Sequence, residues 1–444
     1  MVASTSKNRK IKNEQAVRGF TRSEEKQIED HLFSIFNILP IIGGIFGYHQ
    51  SPKWSALTYT LNIGMYTSVS LTALNLLYCS YLLRDNLSQV TMAFHCFLIS
   101  CVVMTASISL TLQRNKLIEF LLKLQFRGPL AEYHDSDYFQ ALEGKTRQRI
   151  FRMLVIFLSC YGACGLIAVI FPFVDLYLKN ADQVTNVPEI YWKGLPFAVW
   201  WPYDVHNSTS AWILCFLSQG IWALFAPVIV TTAVVLCFYG AELILNHFKL
   251  LIFSVKNLDQ RTKAMYERKY KENSRTQLEN VYEDCFYECI VQNVKHHHII
   301  LKIVEEFLAL ANYAIAVPFF GGALLLGLAG MNLLSTDDLR IGPKIFCASV
   351  GATEATNMFL LCVYGEKFQH EGEELFNSII CTRWYKRSMK CRKALMIMQC
   401  GSFRPPKITA ARMIELNMAT FSNLVNSAYS IFNLNSVASA TEDK

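Results

Sequence analysis

Apolar residues come along this chain in long charge-free runs, not at the three-and-four spacing of an amphipathic surface helix. Seven runs reach the roughly 20 residues needed to cross a hydrocarbon core: 54–83, 86–113, 153–174, 210–241, 307–336, 345–365 and 416–441. Each is bounded by charged or polar segments. Several exceed the minimum, which implies tilt or helix continuing beyond the bilayer. The sixth carries one charge, Glu354, and the seventh is the least hydrophobic. The pattern predicts an all-α membrane protein with seven transmembrane helices. An eighth run, 32–48, is short and interrupted by Pro40, Gly43, Gly44 and Gly47. It reads as an interfacial or re-entrant helix. The first 30 residues hold no apolar core, so no cleavable signal peptide is expected.

Composition strengthens this picture. Hydrophobic residues make up 52% of the 444 and charged residues 17%, against about 25% charged in soluble domains. Intrinsic disorder and a small disulfide scaffold are both excluded. The distribution of basic residues then gives orientation. Segments 1–40, 113–152, 248–302 and 366–412 hold 35 of the 42 Lys and Arg. These segments are expected on the cytoplasmic side, so the N-terminus is cytoplasmic and, with seven spans, the C-terminus extracellular. The glycosylation sequon Asn207-Ser208-Thr209 falls in a loop this topology places outside.

That outer loop, 175–209, is rich in aromatics and proline, including Tyr191, Trp192, Phe197, Trp200 and Trp201. It suits a lid over an extracellular cavity or an aromatic belt at the interface. None of the 14 cysteines lies in it. Cys381, Cys391 and Cys400 are too widely spaced for a zinc knuckle. His296-His297-His298 reads as a helix face, because adjacent side chains diverge around a helix. No metal, cofactor or catalytic constellation is expected, and no nucleic-acid partner. The inner segments 259–302 and 366–398 mix charge with apolar periodicity, which favours helices that extend below the membrane and pack together.

Span seven carries an unusual load of Asn and Ser. Asn423, Asn426, Ser430 and Asn433 follow spacings of 3, 4 and 3 and share one face. Such a stripe suits the wall of a water-filled pathway, with Phe432 and Val437 as a hydrophobic constriction. Interhelical hydrogen bonding within one bundle explains it equally well. Glu354 is the only carboxylate inside a span; such residues are functional by default, and burial against a partner or a place near an interface explains it equally well. Three classes remain: a ligand-gated channel subunit, a G-protein-coupled receptor and a transporter. The charge count opposes the receptor topology. A transporter would show internal repeats with paired broken helices, and none is found.

Leu195-Pro196-Phe197, Trp201-Pro202-Tyr203-Asp204, Trp384 with the basic run 386–393 and Ala394-Leu395, Pro405-Pro406, Ala419-Thr420-Phe421 and 427–432 resemble the insect odorant receptor family. The related gustatory receptors usually carry Thr-Tyr followed by Gln-Phe in the last span, and that pattern is absent here. They remain the alternative. The resemblance implies an odorant-gated, non-selective cation channel subunit that joins a common co-receptor in a heterotetramer. The co-receptor has a longer loop than 260–298 allows, so this chain resembles a tuning subunit.

The resemblance also implies an apolar pocket for a small volatile odorant among spans two to six. There it points to Met92, Phe94, Cys164, Phe171, Ile213, Phe216, Leu217, Phe320 and Cys347. It makes the seventh span line the pore, with Asn426 and Ser430 along it. Aligning Tyr429 with the co-receptor's tyrosine puts the gate at Phe432 and Ser436, whereas the polar stripe prefers Asn433 and Val437. Trp384 and Tyr385 fall in the subunit anchor. The implied divisions are 1–53, a cytoplasmic N-terminus with the interfacial helix; 54–365, a six-helix bundle; 366–415, the anchor; and 416–444, the pore helix and tail. The implied location is the plasma membrane of olfactory neuron dendrites.

Overall fold

The computed structural model describes residues 52–84, 87–124, 129–130, 136–178, 195–197, 199–201, 208–270, 278–334 and 341–442. The chain divides into two compact units, 1–58 and 59–444. The first lies almost wholly outside the described residues, as does the expected interfacial helix at 32–48.

The seven apolar runs each fall largely in one helix, the first of which begins in the first unit. These are α1 (Pro52–Leu82), α2 (Leu87–Leu112), α4 (Asp137–Leu178), α5 (Thr209–Lys256), α7 (Leu278–Leu334), α8 (Ile341–Ile380) and α10 (Met418–Glu442). Shorter helices join them: α3 (Arg114–Leu124), α6 (Leu258–Tyr270) and α9 (Met389–Ser402). Five of these helices (α2, α4, α5, α7 and α8) are long and apolar enough to cross a membrane. The 57 residues of α7 span about 85 Å at 1.5 Å per residue, nearly three times the hydrocarbon thickness. The charged half of α7, from Leu278, is therefore one continuous extension of the apolar half. Segment 259–302 is less uniform than its periodicity implies, because α6 and α7 divide it.

We call the end of the bundle that carries segment 195–201 the upper end, and the end with α6 and α9 the lower end. At the lower end, charge is paired. Glu242 is fully buried and receives both Arg149 Nη1, 2.5 Å from each carboxylate oxygen, and the Tyr364 hydroxyl at 2.5 Å. The Arg387 guanidinium lies 4.2 Å over the Phe286 ring and pairs with Glu283 and Asp259. Burial alone would raise the Glu283 carboxyl. The Ser388 backbone N–H, with Cys391 and Arg387, outweighs that and holds it below the usual carboxylate range.

Between α9 and α10 the chain turns through a two-strand hairpin, β1 (Thr409–Ala410) and β2 (Ile414–Glu415). Ala411 and Arg412 take φ of 52° and 59°, and Met413 N–H closes the turn on the Ala410 carbonyl at 3.0 Å. That is the left-handed pair a tight hairpin needs. Asn417 then caps α10 by accepting from Thr420 N–H at 2.8 Å.

Candidate functional site

A cavity of about 60 Å³ lies among α2, α4, α5, α7 and α8, the helices of spans two to six. Its floor and walls are largely apolar, with Val102, Ala223, Ala226, Val230 and Val350 among them. Two backbone features shape it. Pro227 has no N–H, so the Ala223 carbonyl one turn earlier loses its intrahelical donor. That oxygen abuts Gly165 on α4, where an added Cβ would lie 2.2 Å from it. A glycine is therefore required at Gly165, and the α4–α5 contact is correspondingly close.

The described part of the outer loop closes the cavity from above. Phe197 lines it, edge-on to Trp222 at 5.1 Å and to Phe346 at 6.1 Å. Backbone bonds fix this plug. Phe197 N–H donates to Gln219 Oε1 at 2.8 Å. The Asn75 amide clamps Trp200 at both backbone atoms, at 2.7 and 2.8 Å. At the opposite end of the cavity stand Tyr161 and Glu354, with the Tyr161 hydroxyl donating to Glu354 Oε1 at 3.0 Å.

Of the nine anticipated pocket residues, Met92, Cys164 and Cys347 meet in one core cluster with Phe197, Ala223 and Val350. The Cys347 thiol donates to Met92 Sδ at 3.4 Å. Only Cys164 lines the cavity itself. Phe94 stacks on Phe97, and Phe216 packs against Trp212 and Phe173. Phe171 is half-buried, while Ile213, Leu217 and Phe320 are exposed on the outside of their helices. Sequence reasoning missed Tyr161, Trp222 and Phe346, because an all-apolar helix carries no signal of which face turns inward. Glu354 was legible, since it is the lone carboxylate of the spans.

Along α10, Leu424 and Ala428 are buried against the bundle, and Phe421 meets Phe359 edge-on at 5.4 Å. Asn423, Asn426 and Ser430 are exposed on the other side, with the Ser430 hydroxyl bonded back to the Asn426 carbonyl at 2.9 Å. Asn433 is half-buried. Phe432, Ser436 and Val437 belong to the helix, and their side chains lie outside the described set, as does Asn207. The helix is tied to α8, where Met418 N–H donates to Glu366 Oε1 at 3.0 Å.

Trp384 and Tyr385 are exposed at the lower end, ring against ring at 6.3 Å. Of the three adjacent histidines, His296 and His297 are buried and His298 is exposed, so they diverge around α7. Among the described residues no group of three or more metal-ligating side chains is found.

A bundle of long apolar helices around a capped, mostly apolar cavity defines a multi-pass membrane protein. The model of the 7tm odorant receptor family matches residues 86–429, and the chain belongs to that family, the insect odorant receptors. They are receptors, not enzymes. Odorant receptor 23a of Drosophila melanogaster is 21% identical over 256 residues, covering 54% of this chain and 59% of that protein. Putative odorant receptor 92a of the same organism is 20% identical over 351 residues, 79% of each. The chain spans about three fifths of the length of the first curated relatives it matches. The solved structure of the insect olfactory receptor OR5 from Machilis hrabei in complex with eugenol superposes with a TM-score of 0.72. It does so at 14% identity, over 92% of this chain and 99% of that one. A second structure of the insect olfactory receptor OR5 from Machilis hrabei gives 0.64 at 13% identity.

Proposed function

We propose that this odorant receptor is a tuning subunit of a ligand-gated, non-selective cation channel, assembled with the co-receptor in a tetramer. The observation that carries the reading is the outward face of α10. Asn423, Asn426 and Ser430 turn away from the chain's own bundle, which removes hydrogen bonding within that bundle as their explanation. Polar groups facing lipid are costly. A shared aqueous pathway between subunits gives the stripe a solvated place. The N-terminus is cytoplasmic by the basic-residue bias, segment 366–415 anchors the subunits, and the receptor resides in the dendritic membrane of olfactory neurons.

Odorant binds in the cavity beneath Phe197. A cavity of about 60 Å³ is less than half the ~150 Å³ that accommodates benzene. A volatile of that size therefore has to move wall residues, and the plug formed by Phe197, Trp222 and Phe346 is the mobile-ring candidate. Tighter binding to the widened arrangement than to the contracted one is what turns occupancy into opening.

The test is current recording from cells that express the chain with a co-receptor. Charged substitutions at Asn433 and Ser436 are expected to alter ion selectivity or block. Unchanged permeation at both, and also at Phe432 and Val437, overturns the pore assignment. Odour currents that vanish when G-protein signalling is removed would overturn the channel reading itself.

A further inference from the structure

The cavity is mostly apolar, and the Glu354 carboxylate stands at its lower end. Glu354 is 4% exposed. Its Oε1 takes the Tyr161 hydroxyl hydrogen at 3.0 Å, and its Oε2 has no hydrogen-bond partner among the described residues. One turn further along α8, Asn357 borders an adjoining smaller cavity and is 2% exposed, and its Oδ1 is also unpartnered. Tyr161 has a single hydroxyl hydrogen, and Oε1 already takes it. Among the described residues no Lys, Arg or His lines the cavity. The one unpartnered donor among the described lining residues is the Trp222 indole N–H, at the upper end beside Phe197.

A buried carboxylate oxygen without a donor is costly in an apolar setting. The Asn357 amide one turn along α8 acts on the carboxylate, but no described residue hydrogen-bonds Oε2, so a bound molecule that donates to that oxygen binds preferentially. We propose that the cavity selects volatiles whose head group donates a hydrogen bond, an amine or an alcohol, with that head on Glu354 Oε2 and the apolar body toward Phe197 and Trp222. The proposal rests on the reading of this cavity as the odorant site and names the ligand class that site takes. A hydrogen bond to a charged acceptor is worth about ten- to a hundred-fold in affinity. An amine gains more than an alcohol, because it is the only cation in the cavity.

The experiment uses the full chain expressed with a co-receptor and two sets of equal-sized volatiles. One set is benzylamine, benzyl alcohol, benzaldehyde, anisole and ethylbenzene. The other is hexylamine, hexanol, hexanal, methyl pentyl ether and heptane. In at least one set the amine and alcohol are expected to act at concentrations about ten-fold or more below the donor-free members. In Glu354→Gln the amine should lose at least about ten-fold, the alcohol less, and the ether and hydrocarbon nothing. Surface labelling establishes that the variant reaches the membrane. Tyr161→Phe gives a second variant that keeps the carboxylate and frees Oε1. It should shift the potency of amines and alcohols and leave ethers unchanged.

A potency order indifferent to the donor overturns the proposal. So does an unchanged order in a surface-expressed Glu354→Gln, or silence of the donors in a channel that other volatiles open. The cavity-filling change Val350→Phe separates the two levels. If it abolishes every response while Glu354→Gln alters none, the donor preference alone fails. If full responses survive Val350→Phe, the odorant site lies elsewhere and both readings fail.

Discussion

Glu242 shows what a single side chain contributes at the lower end of the bundle. Its carboxylate is fully buried, and Arg149, Tyr364 and Lys367 converge on it. Such an ion is tolerated only while its partners hold it. Arg149→Met is expected to destabilise the protein by about 3 kcal/mol, the low end for breaking a buried pair. The low end applies because the arginine side chain is itself 41% exposed and partly screened by solvent. Tyr364→Phe should cost less, about 1–2 kcal/mol, since it removes one hydrogen bond and leaves the arginine. Thermal unfolding of the detergent-solubilised protein measures both, and equal losses would mean that the arginine carries no special share. Nothing in the sequence announced this network, because Arg149 and Glu242 are 93 residues apart, one just before the 153–174 run and the other just after the 210–241 run. Glu354, by contrast, stood out as a charge within a span, although nothing in the sequence placed it against the cavity.

At the scale of elements, both α7 and α8 carry the cavity helices to the polar-faced α10, and the α8 contact is the one made backbone to backbone. Gly365 on α8 sits so close to Leu416 that an added Cβ would be 1.8 Å from its carbonyl oxygen, and Glu366 holds the first turn of α10 through Met418 N–H. Backbone, unlike the far end of a side chain, cannot swing aside. Gly365→Ala is therefore expected to separate the two helices, with a loss of about 1–3 kcal/mol typical of overpacking, and to lower odour-evoked current. Gly401→Ala on α9 is the control: nothing lies within 4 Å of its added Cβ, so it should be neutral or stabilising by up to about 1 kcal/mol. Comparable losses in both would assign the effect to something other than the helix junction. The seven helices themselves were legible, since an apolar run between charged segments has few other solutions in a bilayer. Their inward faces were not. Where one side packs and the other meets lipid, both are apolar, and Ile213 and Leu217 ended up outside while Tyr161 and Trp222 turned in. The polar stripe of α10 was readable for the converse reason: its two faces differ in chemistry.

Two properties belong to the whole molecule, acid sensitivity and assembly. Burial, with His298 adjacent, pushes the His297 imidazole down to about 4, and Glu283 is held below the usual carboxylate range. Both groups bind fewer protons folded than unfolded as the solution is acidified. Their stabilisation is present above the unfolded values and is lost as pH falls, for His297 from about 6.5 down toward 4. The melting temperature in detergent should therefore fall across that window, and His297→Gln should flatten the fall. An unchanged slope would remove His297 from the account. Assembly follows from the surface of the same lower region. Met389, Met396, Ile397, Phe403 and Met413 are exposed there beside Trp384 and Tyr385. They sit among basic residues at 386–393 and 404–412, on the face that the proposed topology puts in the cytoplasm. A large apolar patch in water is covered by a partner surface. In the proposed tetramer these side chains meet their counterparts, and aromatic and methionine anchors carry a disproportionate share of such contacts. Met396→Glu combined with Ile397→Glu should cost several kcal/mol across the repeated interface and shift the solubilised complex from tetramer to smaller species. The substitution lies on the exposed side of α9, away from buried Leu395 and Met398, so the monomer's own melting temperature should hold. A tetramer that survives both charges would place the subunit contact on the membrane helices instead, with α10 as the remaining unpartnered face.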